Sequence, residues 1–366
     1  MTSRNIDNTK TVLVAPLNWG LGHATRCVPI IRELLTLHIR VMIAADGPIA
    51  ALLTEEFPEI TVLPLKSFNI KYTTGKKWFF LNMLWQFPQA LLSIYRENRW
   101  LKKTMTRYPI DAVIADNRMG LSNKKIPCIY ITHQLHIKTG LGKWMDKRAQ
   151  QLHYFFINRF CECWVPDFAG EINLAGILSH PTKKPKTPVK YIGVLSRLEK
   201  SAYGVHQYDY LIILSGPEPQ RSILERRLLE QVEHVHGKIL FIRGIPGLSK
   251  NIASPPGITI INHLPAEALN KAIQAASLII SRCGYTTVMD LVKLNKKAIL
   301  IPTPGQPEQE YLAQYLIANK LFYTVEQDHF NLKEAIDTAN TFNNSSAEFP
   351  SMEIYKNNLL EFSRLL

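Results

Sequence analysis

Between Ser281 and Tyr311 the chain reads SRCGYTTVMDLVKLNKKAILIPTPGQPEQEY, and its residue types are those of an anion site. The small-residue turn Ser281-Arg282-Cys283-Gly284 follows the apolar run Ser277–Ile280 and leads into a helical pattern carrying one carboxylate, Asp290. A second apolar run, Ala298–Pro302, completes a strand, turn, helix, strand unit. A helix N-terminus after such a turn offers backbone N–H groups to a phosphate, and a carboxylate two turns on suits ribose hydroxyls. The pattern points to a nucleotide-linked ligand.

A second reactive turn lies near the start, Pro16-Leu17-Asn18-Trp19-Gly20-Leu21-Gly22-His23. Gly20 and Gly22 allow backbone geometry and close approach that a Cβ would block. His23 at the mouth of the turn either caps the helix or serves as a general base near neutral pH. Asp116, in DNRMG after the run Asp111–Ala115, is a second candidate base or a solvated loop carboxylate. Gly20-x-Gly22-x-x-Thr25 with Asp46 also has the outline of a dinucleotide fingerprint, but the third glycine is missing. In the second half, Ser215-Gly216 in SGPEPQ precedes a helix and presents a hydroxyl and N–H groups to phosphate, although its two prolines subtract donors. Arg221 or Arg243 would add charge there.

These turns need strands to aim them. Thr11–Pro16, Ile39–Ala45, Ile60–Leu65, Asp111–Ala115, Pro127–Thr132 and Glu162–Pro166 are buried-type runs, with helical patterns at Pro29–Leu37 and Ala50–Glu56. An aromatic-basic stretch reaching about Tyr108 forms one or two further helices. A composition break at Ser179–Val189 and the strand Lys190–Gly193 precede Ser196–His206, which reads as a polar interdomain link. The alternation then restarts: strands Tyr210–Ser215, Lys238–Arg243 and Ile258–Ile261, helices Ser222–His234 and Ala266–Ala275, and an amphipathic tail Phe349–Leu366. Runs without internal alternation indicate parallel strands covered on both faces. The expected fold is α/β, two Rossmann-like domains facing a cleft: 1–200, then 206–345, with the helix of 349–366 packing back on the first.

At 366 residues two domains are the natural division, and 46% hydrophobic with 20% charged residues describes a globular chain. No run approaches the length of a spanning helix, and MTSRNIDNTK lacks the apolar core of a secretory signal, so a cytoplasmic protein is expected. The five cysteines form no CxxC pair and read as buried, reduced thiols. The net charge of +13 admits nucleic acid, an anionic membrane or an acidic substrate. Lys66, Lys71, Lys76, Lys77, Arg96, Arg99, Lys102 and Lys103 are interleaved with Trp78, Phe79, Phe80, Trp85 and Trp100. Lys143, Trp144, Lys147, Arg148, Phe155 and Arg159 repeat the mixture. Basic residues among bulky apolar ones suit a membrane interface better than a nucleic-acid groove, or else two core helices with basic edges. No nucleic-acid partner is expected.

Ser281-Arg282-Cys283-Gly284-x-x-Thr287-x-x-Asp290, then Ile301-Pro302 and Gln309-Glu310-Tyr311, resembles the donor-binding region of GT-B glycosyltransferases of the MurG-like family. The Gly20–His23 turn with Arg26 and Pro29 is similar to that family's N-terminal glycine loop. The resemblance covers about 260–320 and 11–35 and does not extend to 66–160. It implies an inverting, metal-independent transfer of a hexosyl or N-acetylhexosaminyl group from a UDP-sugar, with no cofactor. The implied acceptor is an envelope glycan or lipid-linked sugar at the inner face of the plasma membrane. It assigns ribose to Asp290, where the family commonly has Glu, the diphosphate to Ser281 and Gly284, and a substrate-binding place to Thr287. Ser215 and Gly216 fall in a phosphate loop that is more glycine-rich in the family. Gln309 and Glu310 would hold sugar hydroxyls, Ile261 and Leu264 would flank the nucleotide base, and His23 would be the catalytic base or an oxyanion-side residue. A nucleotide-sugar 2-epimerase, which needs several converging acids such as Asp116, Asp290 and Glu310, is an alternative. So is a non-catalytic GT-B-like subunit that binds the nucleotide sugar.

Overall fold

The computed structural model of the chain describes residues 9–67, 76–200, 206–245, 252–344 and 348–366 and, for 76–87, the course of the helix. The chain divides into two units, one of Met1–Glu171, Ile177–Leu195 and Pro350–Leu366, the other of Ile172–Gly176 and Ser196–Phe349.

The first unit runs β1 (Thr11–Pro16), α1 (Leu21–Thr36), β2 (Arg40–Ala45), α2 (Gly47–Glu56), β3 (Thr61–Pro64) and α3 (Lys76–Met105). It continues through β4 (Ala112–Asp116), β5 (Cys128–Ile131), α4 (Lys143–Ile157), β6 (Glu162–Val165) and β7 (Val189–Tyr191). All pairings are parallel, in the order β3-β2-β1-β4-β5-β6-β7. The expected aromatic-basic helices are one 30-residue helix, α3, with Pro88 inside it. Every residue of β1 and β4 is buried, as parallel strands covered on both faces require. Leu13, Ala15, Met42, Val113, Tyr130 and Cys163 pack into one core.

The second unit runs β8 (Tyr208–Ile213), α5 (Gln220–Val232), β9 (Ile239–Ile242), β10 (Ile258–Ile261), α6 (Ala266–Ala275), β11 (Ala276–Arg282) and α7 (Tyr285–Lys293). Then come β12 (Lys297–Ile301), α8 (Pro307–Ala318), β13 (Tyr323–Thr324) and α9 (Leu332–Thr341). The strand order is β10-β9-β8-β11-β12-β13, again parallel throughout. The last helix, α10 (Ile354–Ser363), belongs to the first unit. Its Phe362 ring meets Trp164 edge-on at 5.8 Å, and Glu361 bonds Lys190 at 3.3 Å.

The sequence pattern anticipates neither α8 nor α9, although both carry start signals. Pro307 opens α8 with Glu308 and Glu310 in the first turn, and Asn331 caps α9 by accepting the Glu334 N–H at 3.1 Å. Of the expected interdomain link Ser196–His206, residues 201–205 lie outside the described residues. Ser196 and Leu198 are buried, and Lys293 on α7 bonds both the Ser196 carbonyl and Glu199.

Candidate functional site

In each sheet the strand order reverses once, between β1 and β4 in the first and between β8 and β11 in the second. Ligands of open α/β sheets bind beyond the carboxyl ends of the strands at such a reversal, where two loops part. His23 and Asp116 fall at the first of these places, and Ser215, Gly216 and Gly284 at the second.

In the first unit β1 ends at Pro16, in register with Asp116 at the end of β4. The connection to α1 passes through Gly20 at φ 114°, which an L side chain would strain although the space is open. His23 and Arg26 then lie one turn apart on α1 and converge on Asp116. Arg26 donates from Nε to one Asp116 oxygen at 2.7 Å and from Nη2 to the other. His23 Nδ1 lies 3.1 Å from Asp116 Oδ2 and 2.8 Å from Arg26 Nη2, and His133 Nδ1 lies 3.3 Å from Arg26 Nη1.

Asp116 is therefore not the solvated loop residue expected; it ends a strand and is fully buried. Burial would raise its carboxyl, but Arg26 and then His23 outweigh that and hold it well below the usual carboxylate range. So acidic a group, with both oxygens engaged, orients the imidazole and is a poor proton acceptor. His23 is shifted down from 6.5, first by burial and then by the Arg26 charge, against the pull of Asp116. Its imidazole is neutral at physiological pH.

A polar network invisible to pattern reading braces the same loops. Arg118, 1% exposed, donates to the Pro16 carbonyl at 2.8 Å, to Glu97 at 3.0 Å and to Ser67 Oγ at 2.5 Å. Glu97 also accepts the Gly120 N–H at 3.0 Å, and any Cβ at Gly120 would strike it. Asp46, the acidic residue of the dinucleotide outline, accepts from Asn18 and from Ser67.

In the second unit Ser215 and Gly216 follow β8, with Gly216 at φ 105°. Neither expected arginine is an unpaired cation: Glu225 on α5 bonds Arg221 at 3.0 Å and also Arg243, which donates to Asn262 as well. Ser281 is not a turn residue but the buried penultimate residue of β11, its hydroxyl 3.4 Å from the Arg282 carbonyl. Gly284 is the N-cap of α7, so the helix N-terminus expected to face a phosphate begins there. Thr287 lies beside it, 3.8 Å from where a Cβ on Gly284 would stand.

Asp290, two turns along α7, accepts a short hydrogen bond from Ser196. Burial, against Ser196, Arg197 and Lys293, raises its carboxyl to about 6. Gln309 and Glu310 brace their own loop: Gln309 Oε1 accepts the Thr303 N–H at 2.9 Å and Glu310 Oε1 accepts the Gly305 N–H at 2.8 Å. Ile261 ends β10, with Leu264 three residues on, both partly exposed.

Two further expectations need correction or bounds. Four cysteines are buried and free, but Cys161 is exposed, because it lies in the turn before β6 with its thiol on the Cys128 carbonyl. Lys71 and the side chains of 76–87 lie outside the described residues, whereas α4 is fully described. Its Trp144 is 65% exposed and Phe155 57%, with Arg148 stacked on the first and Arg159 on the second. Among the described residues no helix is long and apolar enough to cross a membrane, and no group of three His, Cys, Asp or Glu could hold a metal ion.

Residues 256–361 match the glycosyltransferase family 28 C-terminal domain. The UDP-N-acetylglucosamine--N-acetylmuramyl-(pentapeptide) pyrophosphoryl-undecaprenol N-acetylglucosamine transferase of Listeria monocytogenes serovar 1/2a (strain ATCC BAA-679 / EGD-e) is 24% identical over 172 residues. That alignment covers 44% of this chain and 47% of the relative, so the chain spans about half the length of the curated relative it matches. Among solved structures, spinosyn rhamnosyltransferase SpnG is similar at a TM-score of 0.61 and 16% identity, covering 97% of this chain and 95% of that one. MurG of Acinetobacter baumannii is similar at 0.54 and 15%, covering 98% and 100%. The two sheets thus have the GT-B fold.

Proposed function

We propose that this chain, a GT-B protein carrying a family 28 C-terminal domain, is a glycosyltransferase that moves a hexosyl group from a UDP-sugar to an acceptor hydroxyl. The observation that carries this reading is the neutral His23, oriented by the buried Arg26–Asp116 pair at the carboxyl edge of the first sheet. In the tautomer that donates Nδ1–H to Asp116 rather than accepting from Arg26 Nη2, Nε2 carries the lone pair that takes the proton.

The acceptor oxygen forms its bond to the anomeric carbon as the bond from that carbon to the diphosphate breaks. The electron pair leaves with UDP, and the acceptor proton passes to His23 Nε2. One displacement of this kind inverts the anomeric centre. In the second unit the N-terminus of α7 at Gly284, with the Ser215-Gly216 turn, is assigned to the diphosphate, so that the leaving charge is met by backbone dipoles without need of a metal ion. Asp290 is assigned to ribose through the oxygen not engaged by Ser196, and Ile261 and Leu264 to the base. Gln309 and Glu310 reach a sugar only with the atoms their loop bonds leave over.

The acceptor is proposed to be lipid-linked or an envelope glycan. Two observations favour this: the Listeria relative's name specifies a pyrophosphoryl-undecaprenol acceptor, and α4 exposes Trp144 and Phe155 among cations suited to an anionic bilayer. A 2-epimerase is not favoured, since Asp116, Asp290 and Glu310 each hold an internal partner. A thermal-shift screen of UDP- and TDP-sugars, followed by UDP release with a membrane extract, tests the reading. A Tm rise with one UDP-sugar and acceptor-dependent release are expected. Conversion of the sugar without acceptor, or no binding of any nucleotide sugar, would overturn it.

A further inference from the structure

The first unit has a concave surface on the edge of its sheet opposite His23. A cavity of about 920 Å³ is lined by Asn98, Lys102, Met105 and Thr106 of α3 and its end, by Ser122–Lys125, and by Asn158 and Arg159. Ser122–Lys125 lead into β5 and Asn158–Arg159 into β6, so the cavity adjoins the amino ends of the strands. His23 and Asp116 are at the carboxyl ends.

Its lining holds four cations, Lys102, Lys124, Lys125 and Arg159, and no carboxylate. Among the described residues none of the four is in an ion pair. Two carboxylates elsewhere at this end of the sheet are engaged: Asp111 by Lys10 and the Thr11 N–H, Glu162 by Lys190 and Trp164. The guanidinium of Arg159 is fixed by stacking 4.6 Å over Phe155 and 5.0 Å over Phe156.

Among the neutral side chains Asn158 points the same way, whereas Asn98 spends its N–H groups on the Gly120 and Ser122 carbonyls. Asn123 Oδ1 accepts the Lys125 N–H at 2.9 Å, and Asn158 Oδ1 accepts the N–H groups of Lys186 at 2.8 Å and Thr187 at 3.1 Å. With its acceptor oxygen thus used, Asn158 has N–H to offer a ligand. Cations near the ends of α3 and α4 also offset the helix dipoles there. Lys124 and Lys125 stand on a loop, and that explanation does not reach them.

We propose that this cavity is a binding site for a phosphate-type oxyanion, carried either by a soluble polyphosphate or by the headgroup of an anionic lipid. A cavity that offers donors and positive charge, with no carboxylate to neutralise it, selects a compact polyanion over a neutral sugar. The site is separate from the assigned donor and base residues and does not depend on their roles.

The test uses the full chain saturated with UDP, so that a nucleotide diphosphate site is blocked, and inorganic pyrophosphate as probe in calorimetry. Wild type is expected to bind one equivalent, more weakly as salt rises. Lys124→Ala with Lys125→Ala should weaken binding about tenfold or more, as loss of two of four charge-assisted contacts implies. Asn158→Asp keeps the acceptor for Lys186 and Thr187 while replacing the N–H donor by negative charge, and should lose binding with Tm unchanged. Neutralising Lys297 and Lys333, exposed on the other unit, should leave affinity within about twofold, since net charge alone is screened. Sedimentation with phosphatidylglycerol rather than phosphatidylcholine vesicles, competed by pyrophosphate and lost in the same variants, identifies a lipid headgroup. Pyrophosphate binding without such sedimentation identifies a soluble oxyanion. No saturable pyrophosphate binding, or equal weakening by the Lys297 and Lys333 variant, would overturn the site.

Discussion

Arg26 and Asp116 stand 90 positions apart in the chain and meet as a fully buried two-point pair, Nε to one carboxylate oxygen at 2.7 Å and Nη2 to the other. The parallel register of β1 and β4 brings them together, since it sets Pro16 beside Asp116 and starts α1 just beyond. His23 shares that pair and takes its orientation from it.

If His23 is the base, His23→Ala lowers turnover by about 100-fold or more, the usual worth of a positioned base. UDP affinity stays within about twofold of wild type, because no assigned donor contact is removed. A fully active variant in a UDP-release assay would remove His23 from the mechanism.

The pH profile follows from the direction of the His23 shift. Its neutral form is the base and its titration lies below 6.5, so activity rises with pH through a point below 6.5 and is level at neutrality. An acid limb of kcat/KM centred above 7 would contradict this.

Asp116→Asn leaves the Arg26 guanidinium buried without its counter-charge, a change that costs about 3–5 kcal/mol for buried pairs. The expected result is a large fall in Tm. In whatever folds, the His23 limb moves further down, because Asp116 is what pulls it up. Urea unfolding and the activity profile read the two effects separately.

Asp290 carries an opposite signature. Its folded carboxyl titrates near 6, above its ordinary 3.8, so the folded state binds the extra proton and stability falls as pH rises from about 4 to 6. Asp290→Asn removes that slope and is more stable than wild type above pH 6. It should also weaken UDP, UMP and uridine equally, since all three share the ribose; unchanged affinity by calorimetry would sink the ribose assignment.

On α4, Trp144→Glu with Phe155→Glu should abolish sedimentation with anionic vesicles without lowering Tm, as both rings are more than half exposed. Retained sedimentation would show that this face does not dock on a bilayer.

Much of this was legible in the chain itself. Buried runs such as TVLVAP and ASLIISR lack the alternation of a half-exposed strand, and that local fact is enough for parallel sheets covered on both faces. Gly20, Gly216 and Gly284 mark the turns at the carboxyl edges, and His23 and Asp290 follow at helical spacing, because turn and cap chemistry acts over a few residues. Position relative to distant strands was not legible. Asp116 looked solvated in DNRMG, since nothing local shows Arg26 above it. Arg243 looked like a phosphate ligand until α5 brought Glu225 against it, and Ser196 looked like linker until α7 supplied Asp290. The ionisation and burial of each group are sums over neighbours from other strands and helices. Residue types and spacing therefore settled that the chain would turn at Gly20 and at Cys283-Gly284, and only the tertiary register of the sheets decided which of their neighbours are charged, paired or buried.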